Sequence, residues 1–150
     1  MLPLSIAAFS NELKTYTMKN YPTHYHTIKA GGVNIFYREA GPKDGPVILL
    51  MHGFPTSSFM FRNLIPILSK QYHVIAPDLP GFGFSDAPAR DQYPYTFDNL
   101  AKTMQAFIDD MGLKRFAIYV FDYGAPVGFR LAVANPEKIT GIISQDGKCL

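Results

Sequence analysis

Tryptophan is absent from this 150-residue chain, cysteine occurs once, as Cys149, and all four histidines lie at or before position 73. A single cysteine excludes an internal disulfide framework and a cysteine-based metal site, and it fits a reducing cytoplasm, which is the expected location. Charge is also sparse. Charged residues make up 17% of the chain, with 14 basic and 12 acidic side chains interspersed for a net +2. That balance offers no electrostatic case for nucleic acid or for an anionic membrane surface. Long apolar runs are missing too: Leu2 to Phe9 lacks the basic leader of a secretory signal and is far too short to span a bilayer. Residues 1–24 are read as an N-terminal extension, with Met18 as a candidate functional start, and residues 25–150 as the folded part.

What the chain does have is 47% hydrophobic content, enough for one domain with a real core. From Tyr25 onward strand and helix signals alternate, which predicts an α/β fold with a mainly parallel sheet and flanking helices. Tyr25 to Lys29 and Val33 to Glu39, separated by Gly31-Gly32, read as a hairpin. Val47 to Met51, His73 to Ala76, Phe116 to Phe121 and Ile139 to Ser144 read as further strands, the apolar runs among them buried on both faces. Helices are expected over Ser58 to Lys70, Phe97 to Met111 and Gly124 to Asn135. In the second, Phe97, Leu100, Met104, Phe107, Ile108 and Met111 recur at helical spacing; Thr96 is the expected N-cap and Gly112 the stop. The third ends where Pro136 forbids continuation.

Chemistry-bearing residues concentrate where strands run into loops, which is where ligands bind in open parallel sheets. Phe121-Asp122-Tyr123-Gly124 takes an apolar strand through a polar residue straight into a helix, with Gly128 one turn on. A nucleophile elbow needs that arrangement, because the turn is strained and small residues must surround it. Asp122 would be the nucleophile. A carboxylate is already ionised at neutral pH and can attack an sp³ carbon without a base to activate it, so the residue type points to alkylation rather than acyl transfer. The competing reading makes Asp122 a cap of the following helix. The position two before it holds Val120, where small residues are usual.

The second junction is His52-Gly53-Phe54-Pro55. A glycine lets the chain turn so that the Phe54 N–H faces the elbow, with the Tyr123 N–H as a second oxyanion donor. His52, Gly53 and Pro55 are expected to line the substrate side; for His52 a buried, hydrogen-bonded structural role competes with this. The third junction, Ala76 to Ser85, contains Gly81-Phe82-Gly83, but no helix starts there and no third glycine follows, so it is read as a loop on the site's rim and not as a phosphate cradle. No cofactor and no metal are expected.

Together the strings HGFP, HVIAPDLPGFGFSDAP and FDYGAPVGFRLAVANPEKI resemble the aspartate-nucleophile branch of the α/β-hydrolase superfamily, the epoxide hydrolase and haloalkane dehalogenase-like proteins. The resemblance implies a small-molecule substrate, an epoxide or an alkyl halide, whose carbon is captured by the carboxylate as an ester that a histidine-activated water then hydrolyses. In this family the dehalogenases commonly carry tryptophan after the nucleophile. Tyr123 stands there, which favours the epoxide reading over the dehalogenase one. The acid and the histidine of such enzymes follow the nucleophile in the chain, and no histidine follows Asp122. Asp146 follows it and is read as a turn residue beside Gly147, with a catalytic acid as the alternative. The chain is therefore expected to be the N-terminal part of the fold, truncated after about the sixth strand and incomplete for turnover. Its last strand would be an open edge through which it self-associates or survives as a binding fragment.

Overall fold

The computed structural model describes residues 19–147. The expectations for Leu2 to Phe9, Met18 and Cys149 lie outside the described residues. Six strands, β1 (His24–Ala30), β2 (Val33–Ala40), β3 (Val47–Met51), β4 (His73–Pro77), β5 (Phe116–Phe121) and β6 (Ile139–Gln145), form one sheet in the order β1-β2-β4-β3-β5-β6. The outer hairpin is antiparallel, and β2 pairs antiparallel with β4. The remaining pairings, β3 with β4, β3 with β5 and β5 with β6, are parallel. Gly31 and Gly32 turn the hairpin with φ of 57° and 85°, a two-residue turn that other residues adopt only with strain.

Helices α2 (Phe97–Asp110) and α3 (Gly124–Ala134) cover one face of the sheet. The α2 stripe is buried at Leu100, Met104, Phe107 and Ile108. Thr96 caps the helix by accepting from the Asn99 N–H at 3.2 Å, and Gly112 leaves it at φ 66°. Packed on it are Ile35, Leu49, Ile75, Phe116 and Ile118, all at 1% exposure or less.

The other face carries less. The helix expected over Ser58 to Lys70 is instead a 3₁₀ turn (Ser58–Phe61) followed by a single helical turn, α1 (Ile65–Leu68). Pro66 is the reason: it has no N–H to donate to residue 62, and its ring clashes with that carbonyl, so no helix passes through it. Proline is tolerated in the first turn of a new helix, where it sits in α1. Phe61 and Ile65 from this segment pack on Ala40, Ile48, Leu50, Val74 and Ala76.

Strand order places the site. From β3 the chain crosses to β4 over one face, and from β5 it crosses to β6 over the other, so β3 and β5 are neighbours whose connections diverge. The crevice at that switch point is where an open parallel sheet holds ligands. Met51 and Val120 are partners in register, so the two segments that leave these strands emerge side by side.

Candidate active site

Beyond Val120 the chain turns sharply. Asp122 has φ 46°, a left-handed conformation that costs a non-glycine residue about 1–2 kcal/mol, and its carbonyl accepts from the Ala125 N–H at 3.0 Å to close the turn into α3. Its side chain does not cap that helix. Oδ1 instead accepts from the Phe54 N–H at 2.8 Å, 68 residues away in sequence. Three glycines make the corner possible. A Cβ on Gly53 would lie 2.5 Å from the Asp122 Cβ and 2.7 Å from its Oδ1. One on Gly124 would run into the Met51 carbonyl, and one on Gly128 into Val120 Cγ1. The valine in place of a small residue is thus accommodated across the turn, by the missing side chain of Gly128.

A model of the α/β hydrolase fold family matches residues 46–150, which spans β3 to β6 and both junctions. The chain belongs to the α/β-hydrolase family. It is 53% identical over 131 residues to an uncharacterized hydrolase of Saccharomyces cerevisiae, covering 87% of this chain and 44% of the yeast protein. A haloalkane dehalogenase from Bradyrhizobium elkani superposes with a TM-score of 0.80 at 33% identity, covering 84% of this chain and 42% of that one. An epoxide hydrolase from Vigna radiata does so with 0.74 at 34%, covering 81% and 39%. This α/β-hydrolase-family chain therefore spans less than half the length of these relatives.

Of the other expected site residues, Phe54 is 57% exposed and Tyr123 39% exposed, their rings 5.4 Å apart. The Phe54 amide bonds the Asp122 carboxylate; the Tyr123 amide does not. Phe97 meets the Tyr123 ring edge-on at 5.2 Å, and Phe82, from the loop after β4, meets Phe54 at 6.2 Å. These four rings form a continuous chain of aromatic contacts, Phe97 to Tyr123 to Phe54 to Phe82, running through the residues that neighbour the two turns. Pro55, joined to Phe54 by a cis peptide, is exposed beside it.

His52, for which a place on the substrate side and a buried structural role compete, has the surroundings of the structural one. It is completely buried, Nε2 accepts from the Leu79 N–H at 2.9 Å, and Nδ1 therefore carries the proton that it donates to the Gly53 carbonyl at 2.9 Å. Burial pushes its pKa below the ordinary histidine value, against the opposing pull of the Gly53 carbonyl and Asp78. A ring with both nitrogens engaged has nothing to offer a substrate. It fixes the Gly53 turn against the loop that follows β4.

That loop is organised by Asp78, whose role no sequence motif announces. Fully buried, Asp78 accepts from the Ser58 N–H at 2.7 Å, the Ser58 hydroxyl at 2.5 Å and the Phe84 N–H at 2.9 Å. The Arg38 guanidinium lies 3.8 Å from it and bonds the same Ser58 hydroxyl. The signal was an acid between two prolines immediately after a buried strand, where a carboxylate survives burial only if amides and a cation receive it.

The remaining histidines are elsewhere. His73 starts β4, at the opposite end of the sheet from Asp122, and holds Glu39 at 2.5 Å; His26 on β1 approaches the same carboxylate at 3.4 Å. Burial drives Glu39 up, but its bonds to Lys43 and His73 outweigh that and hold the carboxyl below its usual range. His24 sits on outer strand β1. Asp146, with φ 50°, is an exposed turn residue after β6. Among the described residues no helix is long and apolar enough to cross a membrane, and no three histidine, cysteine or acidic residues gather as a metal site.

Proposed function

We propose that Asp122 is the nucleophile of a hydrolase acting at an sp³ carbon, with an epoxide as the favoured substrate class. The observation that carries this is the Phe54 amide on Asp122 Oδ1 at 2.8 Å: it holds one carboxylate oxygen and leaves the other to attack. The left-handed corner at Asp122 supports reading it as a nucleophile elbow, and relatives called haloalkane dehalogenase and epoxide hydrolase support the reaction class. In the first step the free oxygen bonds to the substrate carbon. The carbon–oxygen or carbon–halogen bond breaks with its electron pair on the leaving atom, and an ester of Asp122 results. In the second step water adds to the ester's carbonyl carbon. Negative charge then grows on the oxygen that already accepts from the Phe54 N–H, and the Tyr123 N–H is proposed as the second donor that joins it at this step.

That water needs a base. His52 is buried with both nitrogens engaged, and His73 is tied to Glu39 at the far end of the sheet. No histidine of this chain is set beside Asp122, so we propose that the chain alone performs the first step only. Tyr123, in place of an indole that would hold a halide, favours the epoxide; the dehalogenase relatives keep the alkyl halide as second reading. The exposed Ile142 and Ile143 of β6 favour a further one, self-association of the chain through this edge.

Intact-mass spectrometry tests the proposal. Incubated with a reactive epoxide, the folded chain should gain one equivalent of its mass, located on Asp122 by peptide mapping and absent in Asp122→Asn. Many turnovers per chain would contradict the missing base. A folded chain that forms no adduct with either an epoxide or a primary alkyl bromide would remove Asp122 from the nucleophile's place.

A further inference from the structure

Away from Asp122, a concavity of about 450 Å³ opens between the β1-β2 hairpin and the 3₁₀ turn. Its walls include Tyr25, Phe36, Phe59 and Phe84, and neither Asp122 nor any of Phe54, Phe82, Phe97 and Tyr123 belongs to it. Three of these walls are unusually exposed for aromatic residues: Phe84 at 75%, Tyr25 at 63% and Phe59 at 55%. Apolar surface gathered in one concave place marks a binding site more often than scattered exposure does.

Two guanidinium groups define the charge. Arg38 forms the floor, 6% exposed, held at the back by Asp78 and Ser58 and lying 5.1 Å from the centre of the Phe36 ring and 5.6 Å from those of Tyr25 and Phe59. Its partners immobilise it, so a ligand meets a preorganised plane. Arg62 stands at the rim, exposed, with its guanidinium 4.7 Å from the Phe59 ring centre. Among the described residues it forms no salt bridge, and no carboxylate lines the concavity. Asp78 offsets the charge of Arg38, whereas Arg62, which donates to the Phe59 carbonyl at 3.3 Å, meets no carboxylate among the described residues.

We infer that this concavity is a second binding site, for a flat aromatic carboxylate: its ring system stacks among Tyr25, Phe59 and Phe84, and its carboxylate pairs with Arg62. Stacking on aromatic faces selects a planar ligand, and the fork of an arginine selects a carboxylate over a neutral or cationic group. The site is independent of the chemistry at Asp122. Its walls nonetheless connect with that site's scaffold, because Phe59 follows Ser58 and Phe84 donates its N–H to Asp78.

The probe is 2-naphthoate, titrated calorimetrically into the full 150-residue chain. Binding should be saturable with one molecule per chain. Arg62→Gln should weaken it at least fivefold, as should Phe59→Leu, and the neutral analogue 2-naphthalenemethanol should bind at least fivefold more weakly than the carboxylate. Affinity should fall as potassium chloride rises. Because Arg62 is exposed, its variant should keep the parent's circular dichroism, and the neutral analogue and the salt series test the charge without any substitution. Binding unaffected by Arg62→Gln, equal binding of the alcohol, equal binding of octanoate, or no saturable binding would each overturn the assignment.

Discussion

The Phe54 amide and the Asp122 carboxylate meet at 2.8 Å across 68 residues of sequence, and Gly53 is what lets them meet. Parallel pairing of β3 with β5 sets the two segments side by side, but the residue before Phe54 faces the Asp122 side chain closely enough that even a methyl group there has no room. Gly53→Ala should therefore push the carboxylate away from its donor. We expect alkylation of Asp122 by an epoxide to slow at least tenfold, with a loss of about 1–3 kcal/mol in urea unfolding, because the buried Gly53 has no space for a methyl group. Alkylation at the parental rate would mean that the Phe54 amide does not hold the carboxylate in its reactive pose.

Much of this corner was legible in the residues. An apolar run bounded by glycine and proline reads as a buried strand, and Thr96 and Gly112 mark the ends of α2 by their own chemistry. What stayed hidden were pairings between side chains far apart in sequence. Asp78 meets Ser58 from 20 residues away, and Arg38 reaches Ser58 over the same separation. No periodicity announces such contacts, since they depend on which loops the sheet order brings together. The break at Pro66 hides for another reason: the apolar pattern of a helix runs on through the one residue whose backbone forbids it. His52 shows the same limit, because its role depends on the Leu79 amide that meets it.

Val120 and Gly128 form a matched pair. Val120 is fully buried, and Gly128 is the gap that receives it. Gly128→Ala should cost about 1–3 kcal/mol through overpacking. Val120→Ala alone should also destabilise, by leaving a void. The double variant should recover at least half of the Gly128→Ala loss, since the new methyl group then meets a smaller neighbour. Additive losses in urea unfolding would disprove the coupling.

Asp78 is the hub of the loop that bears Phe82 and Phe84. Asp78→Ala strands two backbone donors, a hydroxyl and the Arg38 cation in a buried place, so a loss of about 3–5 kcal/mol is expected. Replacing both ends, as Arg38→Met with Asp78→Leu, should cost less than the two single losses combined, because no unpaired charge remains. A loss below about 1 kcal/mol for Asp78→Ala would show that water reaches these groups when the carboxylate is gone.

Acid should weaken the fold in two stages. His52 has a native pKa below its unfolded value of about 6.5, so the unfolded chain binds the extra proton first. Its contribution is intact above that pH and is lost as pH falls below it toward the native value. Glu39, also lowered in the native state, contributes above its unfolded value of 4.5, and that contribution disappears as pH falls through the native value. His52→Gln removes one titration only. It should lower the melting temperature at pH 7.5 through lost hydrogen bonds, yet the gap from the parent should narrow as pH drops from 6.5 to 5. A gap that stays constant over this interval would mean that His52 titrates alike in both states.

β6 is the strand most exposed to a partner. Its burial pattern is open from Thr140 to Gln145, and Ile142 and Ile143 are 47% and 51% exposed on opposite faces. The edge away from β5 offers its amides and carbonyls unpaired by any described residue, and an apolar strand of that kind templates pairing with another chain. Ile143→Lys places a charge on the strand, which an incoming apolar partner would have to desolvate. In sedimentation velocity the parent should show a weight-average coefficient that rises with concentration, and Ile143→Lys should flatten that rise. Val133→Lys changes an even more exposed apolar residue, at 83%, but on α3, where no strand edge exists. It should leave the association as it was. Equal suppression by both substitutions would assign the contact to general apolar surface, and no suppression by Ile143→Lys would exclude pairing along β6.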